Sequence, residues 1–267
     1  KLKLFDVHTH LQFPDFDGDR DETIKRALNE GVYFINVGAD KESSQRAIEL
    51  ADKYSIGIWA TVGQHPSDLK DFDYGFFKNL AQNQKVVAIG ECGLDYYHLA
   101  QGVNREAQII RQKEIFIKHI ELANKSKKPL MIHCRDAHKD LLEILKENRN
   151  LLIPKRAGIM HFFGGNGAWE NVDEYLNLGF YISFSGVITF PKYSHFEDIR
   201  RLPFDRILIE TDAPFVAPEP YRGQRNGRFY IIETAKKLAE IKGAAGAFEE
   251  IAEQTVKNAE VVFGLKI

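Results

Sequence analysis

The residues of this chain best suited to chemistry are histidines and carboxylates at the ends of short apolar runs: His8, His10, His65, Glu91, His133, His161 and Asp212. In His8-Thr9-His10 the imidazoles are two residues apart, so an extended strand points both to one side, where they can share an ion. Alone the pair proves little, because nine histidines in 267 residues generate roughly 0.3 such pairs by chance. A strand-end histidine bonded to a loop explains an isolated pair equally well. The other members change that balance. Neutral imidazole and carboxylate suit Zn, Mn, Ni or Fe, and Glu91 has two oxygens with which to bridge two ions. The set therefore reads as a binuclear divalent-metal centre. Asp212 follows Ile207-Leu208-Ile209-Glu210-Thr211, a run too apolar to hold a carboxylate without a partner. A metal or a catalytic proton would satisfy it.

Neighbouring residues extend the set. His133 and Arg135 alternate, which puts Cys134 on the opposite face; plain packing is expected for Cys134 and Cys92. Pro66 restricts His65 to an extended or turn conformation, which serves either a substrate contact or a structural hydrogen bond. Asp6 and Glu210 share parity with His8 and Asp212 one step deeper. They are expected to orient ligands from behind or to pair with each other in the core. The glycines of Phe162-Phe163-Gly164-Gly165-Asn166-Gly167 make a tight turn or offer backbone N–H groups to a phosphate. Arg222, Arg225 and Arg228 lie among Tyr221, Phe229 and Tyr230. Such a loop suits phosphates and stacked bases, against a solvated surface loop as the plain alternative. Its place after Asp212 favours phosphate contact.

Eight apolar runs carry these residues, at 4–8, 32–37, 58–62, 86–90, 130–133, 158–161, 180–184 and 207–211. Each is short and nearly continuously apolar, as a strand buried on both faces should be. Amphipathic segments lie between them, for example 22–30, 43–53, 105–125, 140–147 and 168–178, and 229–241 and 248–263 follow the last run. Gly31 and Gly179 stand where a helix would end in a left-handed residue. Alternation of this kind needs right-handed crossovers and a parallel sheet, and eight repeats in this length predict a single closed (β/α)8 barrel of the TIM type over 1–267. In that fold the active site lies at the C-terminal ends of the strands, where the candidate residues fall.

Composition agrees with a globular enzyme. The chain is 44% hydrophobic and 28% charged, which excludes disorder, collagen and coiled coil. No run is long and apolar enough to span a membrane, and the acid at Asp6 comes too early for a signal peptide. Two cysteines are too few for a disulfide scaffold and suggest a reducing, cytoplasmic setting. A formal charge of −2 gives no global field for nucleic acid, so an anionic substrate must be attracted locally.

Taken in order, Asp6-Val7-His8-Thr9-His10-Leu11, Gly63-Gln64-His65-Pro66, Gly90-Glu91-Cys92-Gly93-Leu94-Asp95-Tyr96, His133-Cys134-Arg135-Asp136-Ala137, Glu210-Thr211-Asp212-Ala213-Pro214 and Arg222-Gly223-Gln224-Arg225-Asn226 resemble the TatD-type metal-dependent deoxyribonucleases of the amidohydrolase superfamily. The resemblance runs along essentially the whole chain. It implies a (β/α)8 barrel, a divalent-metal site made by His8, His10, Glu91, His133, His161 and Asp212, and hydrolysis of DNA from a 3′ end. Two loops depart from the family. Phe162-Phe163-Gly164 replaces its usual Cys-Phe-Ser, and Gly227-Arg228 its usual Glu-Pro. Both changes spare the ligands and bear on substrate preference.

The expected mechanism places His8, His10 and Asp212 on one ion, His133 and His161 on the other, and Glu91 across both, the ions being Mg, Mn or Zn. Asp212 would accept a proton from the attacking water. Arg135 would offset charge on the phosphate, with His65, Arg222 and Arg225 as further substrate contacts. A lactonase, amidohydrolase or aminoacyl-tRNA deacylase using the same site is the nearest rival. Glu91, where related phosphotriesterase-like enzymes use a carboxylated lysine, favours the nuclease. A non-catalytic binding module would be expected to lack a ligand, and none is missing.

Overall fold

The computed structural model describes residues 2–99, 104–243 and 247–267. Strands β1 (Leu4–Thr9), β2 (Val32–Asn36), β3 (Ile58–Val62), β4 (Val86–Asp95), β5 (Leu130–Arg135), β6 (Gly158–Met160), β7 (Phe180–Phe184) and β8 (Ile207–Ile209) form one sheet. Their spatial order follows the sequence, and every paired neighbour is parallel. Helices α1 (Arg20–Glu30), α2 (Lys41–Asp52), α3 (Tyr74–Leu80), α4 (Arg105–Ser126), α5 (His138–Glu147), α6 (Val172–Asn177), α7 (Phe196–Arg201) and α8 (Ile231–Lys242) alternate with the strands, and α9 (Ala247–Phe263) follows. This is the (β/α)8 barrel that the alternation predicts. The ring is drawn together at its active-site end, where Asp212 N–H donates to the His8 carbonyl (2.9 Å) and His10 N–H to that of Ala213 (2.8 Å). No described helix is long and apolar enough to cross a membrane.

Strand parity divides the core in two. Phe5, Val7, Ile35, Val87, Met131, Ile159, Tyr181 and Leu208 meet in one cluster that Val262 and Phe263 of α9 join. Residues of the other parity, such as Phe34, Ile132, Phe180, Ile182 and Ile209, pack with the surrounding helices. Burying each such side chain contributes roughly 1.5–3 kcal/mol. The inner cluster makes a solid base beneath the polar mouth.

Four boundaries differ from expectation in ways that shape the site. β4 runs on to Asp95 instead of stopping at Gly90, its register against β5 shifting between Ile89 and Cys92. Gly90 and Gly93 permit this path, since a Cβ would lie 2.3 Å from the Met131 carbonyl oxygen at the first and 2.0 Å from that of His133 at the second. β6 and β8 end before His161 and Asp212, so both residues project from loops. The segment expected to be helical from 168 begins as a 3-10 turn, Trp169–Asn171, and α6 spans only Val172–Asn177. The glycines before it therefore lead into a turn.

Candidate metal centre

The side chains of the centre arrive from β1, which supplies His8 and His10, from β4 and β5, and from the loops after β6 and β8, with Glu91 in the middle. Its Oε2 faces the β1 pair, 3.5 Å from His8 Nε2 and 3.8 Å from His10 Nε2. Its Oε1 faces the other side, 3.1 Å from His133 Nδ1 and 3.3 Å from His161 Nε2. Asp212 Oδ1 lies 3.6 Å from Nε2 of both His8 and His10. The structure thus brings together all six residues predicted as ligands, with His8, His10, Glu91 and His161 buried. Asp212 adopts φ +56, a left-handed conformation of the kind that concentrates at functional sites.

The hydrogen bonds behind the rings decide which nitrogen faces inward. His10 Nδ1 donates to the Val37 carbonyl (2.8 Å), leaving the Nε2 lone pair toward Glu91 and Asp212. His161 Nδ1 donates to Glu210 Oε1 (3.0 Å), and His133 Nε2 to Asp95 Oδ2 (3.1 Å). The inward atoms of His8 and His10 lie only 3.1 Å apart. Converging lone pairs beside two carboxylates suit a divalent cation. Among the described residues, four overlapping groups of three side chains have ligand atoms close enough to hold an ion: His8, His10 and Glu91; His8, His161 and Asp212; Glu91, His133 and His161; and His65, Asp95 and His133. Since Asp95 occupies His133 Nε2, the inward His133 Nδ1 serves the group with Glu91 and His161.

Electrostatics follow the same geometry. Burial, reinforced by His161, lowers the His8 pKa to about 3. Burial would also lower His161, but Glu210 and Glu91 hold it well above the usual imidazole range. Burial opposes ionisation of Glu91, yet the surrounding histidines keep its pKa well below that of an ordinary carboxylate.

The other predicted residues divide. His65 reaches the centre, its Nε2 3.6 Å from Glu91 Oε1 and its Nδ1 2.7 Å from Ser67 Oγ. Arg135 lines the cavity above the centre, stacked 3.7 Å from the Tyr97 ring. Glu210 orients a ligand, as expected. Asp6 meets a ligand residue through the backbone and not the ring: its carboxylate accepts from His8 N–H (3.3 Å) and from Thr211 N–H (2.9 Å) and Oγ1 (2.6 Å). It ties β8 to β1. The two arginines after β8 also differ from expectation, for neither lines the cavity. Arg225 makes a two-point pair with Asp19 and donates to the Asp15 carbonyl. Arg222 lies over Phe190, beside Glu219. Arg225 is engaged by Asp19, while Arg222 is exposed with Glu219 4.0 Å away; it is their position outside the cavity that sets both apart from the expected phosphate contact. The Arg228 side chain lies outside the described part of the structure. Cys92 and Cys134 belong to the apolar packing, and burial raises both thiol pKa values.

Asp95 and His98 are the residues that sequence reasoning missed. Asp95 Oδ2 accepts from both His133 Nε2 and His98 Nδ1 (2.7 Å), so a buried carboxylate joins a ligand to an exposed imidazole at the cavity. Its signal was the continued period of two from Glu91 through Gly93 to Asp95. Asn226, also missed, is buried and holds the turn that carries Asp212. The cavity above the centre has a volume of about 1150 Å³, enough for a nucleotide or a molecule of similar size.

Comparison with known proteins matches residues 5–264 to the model of the family described as TatD related DNase. The uncharacterised metal-dependent hydrolase YabD of Bacillus subtilis is 40% identical, covering 97% of this chain and 98% of YabD. The 3′-5′ ssDNA/RNA exonuclease TatD of Erwinia amylovora is 32% identical, covering 98% of this chain and all of that protein. Among solved structures, the Escherichia coli TatD homologue YjjV aligns with a TM-score of 0.86 at 29% identity, over 98% of each chain. Similarity this extensive, arriving at a barrel whose ligands already suit divalent ions, settles the ancestry: the chain belongs to the TatD family of metal-dependent hydrolases.

Proposed function

We propose that this protein hydrolyses phosphodiester bonds of single-stranded DNA from the 3′ end at a centre for two divalent ions, Mg, Mn or Zn. The observation that carries this reading is the divided environment of Glu91, one oxygen toward His8 and His10 and the other toward His133 and His161. His8, His10 and Asp212 would hold one ion, His133 and His161 the second, and Glu91 both. Bound ions would supply Lewis acidity and a water acidified toward neutral pH. Asp212, which lines the cavity, is placed to accept the proton released as that water attacks phosphorus. Arg135, which lines the same cavity, offsets charge on the non-bridging oxygens. His65 contacts the substrate beside Glu91. The name of the Erwinia relative supports the polarity and the single-stranded substrate.

The test is hydrolysis of a single-stranded oligonucleotide labelled separately at each end, after chelation and readdition of Mg, Mn or Zn. Metal-dependent shortening from the 3′ end, abolished in Glu91→Gln, is the expected result. Intact DNA with every ion, while both metals are bound, would transfer the site to carbonyl substrates such as lactones or aminoacyl esters.

A further inference from the structure

Seven Phe, Tyr and Trp side chains line the cavity, and Phe13, Trp169 and Phe184 already have a ring stacked on them. Trp169 stacks with Phe184 (6.1 Å, 11°) and His195 (5.2 Å, 18°). Phe13 stacks on the ligand His10 at 4.5 Å. Phe215 differs. Its ring contacts among the described residues are both steeply inclined, with His10 at 6.1 Å and 67° and with Phe13 at 6.3 Å and 73°. No described ring stacks on it in parallel, and it is 47% exposed.

The backbone holds Phe215 there against local preference. Val216, the next residue, has φ +48, a left-handed conformation that a β-branched residue rarely adopts. Asn226 clamps this turn: its Nδ2 donates to the carbonyls of Thr211 (2.7 Å), Phe215 (2.6 Å) and Val216 (3.2 Å), and its N–H to that of Pro214 (3.0 Å). The adjacent Arg225 ties the segment to Asp19. A strained turn, over-determined by hydrogen bonds and presenting an apolar ring to water, is the kind of feature that functional sites retain.

Resting on the nuclease reading above, we infer that Phe215, backed by Phe13, is the platform on which the 3′-terminal nucleobase of the substrate stacks. Both rings line the cavity that contains Glu91 and Asp212. A base on Phe215 therefore leaves its sugar and phosphate beside the metal ligands. A phenyl ring makes no hydrogen bonds to base edges, so it holds every base by its π-face and imposes little sequence preference.

Wild type, Phe215→Ala and Phe215→Trp would be compared on two single-stranded oligonucleotides, one intact and one with an abasic 3′-terminal residue, at saturating metal. Wild type is expected to favour the intact strand by about 10-fold in kcat/KM. Phe215→Ala should bring that ratio close to one, and Phe215→Trp should restore it. A wild-type ratio near one, or a ratio unmoved by Phe215→Ala, overturns the platform and leaves the nuclease reading standing. Cleavage of neither strand by wild type overturns the nuclease reading and the platform with it.

Discussion

On the β5–β6 side of the centre, each imidazole is backed by a carboxylate: His133 by Asp95 at 3.1 Å and His161 by Glu210 at 3.0 Å. On the β1 side, His10 is backed by the Val37 carbonyl at 2.8 Å, and His8 Nδ1 has no hydrogen-bond partner among the described residues. A carboxylate behind a histidine makes it a more basic and better oriented ligand than a neutral carbonyl does. On the proposed two-ion reading, the β5–β6 half would hold its cation the more tightly. The β1–β8 half, where Asp212 reaches the cavity, is suited to exchanging protons and products. The two ions proposed for this centre would then not be bound alike.

The largest effect expected from breaking this arrangement comes from Glu91, which faces both halves. Glu91→Gln should lower kcat by about 10³-fold or more, and metal analysis should show reduced occupancy. Full occupancy with normal turnover would end the idea of a shared carboxylate. Asp212→Asn should cost about 10² to 10³-fold in kcat with little change in substrate binding, as for loss of a proton acceptor. Wild-type turnover with metal content verified would remove that role.

The asymmetry itself is tested by Asp95→Asn and Glu210→Gln. Each should weaken the tighter of two metal-binding phases by about 10 to 100-fold when chelated protein is titrated with Zn in a calorimeter. Equal losses in both phases would show that the halves are not distinct.

An effect on stability alone concerns His119 on α4, outside the centre. Its Nε2 accepts the N–H of Gln64, next to His65, at 3.0 Å. Burial depresses its pKa to about 4 from 6.5. Between those values the unfolded chain binds a proton that the folded protein does not, so stability falls as pH drops from 6.5 toward 4. The loss reaches about 3 kcal/mol for this group. His119→Gln should flatten this part of the stability–pH curve, measured by denaturant unfolding, and an unchanged slope would assign the pH dependence elsewhere.

The barrel and the six candidate ligands were legible because both are written in local patterns. Strand–helix alternation is visible over a few tens of residues, and His8 and His10 share a face through the period of a single strand. Asp95 was hidden by the glycines around Glu91, which read as the end of a strand and instead permit a register shift. Arg225 was misread for another reason. A basic residue near a proposed phosphate site looks like a substrate contact until its partner is known, and Asp19 lies 206 positions away.

By itself, then, the sequence determined the fold class, the ligand types and their order along the chain, because these depend on spacing within single elements and on side-chain chemistry. Only the tertiary structure decided which groups stand behind the ligands. Asp95 meets His133 across 38 residues, Glu210 meets His161 across 49 and Asp6 meets Thr211 across 205. Such partners are selected by barrel closure and strand register, and a shift of one residue would turn each of them to the opposite face.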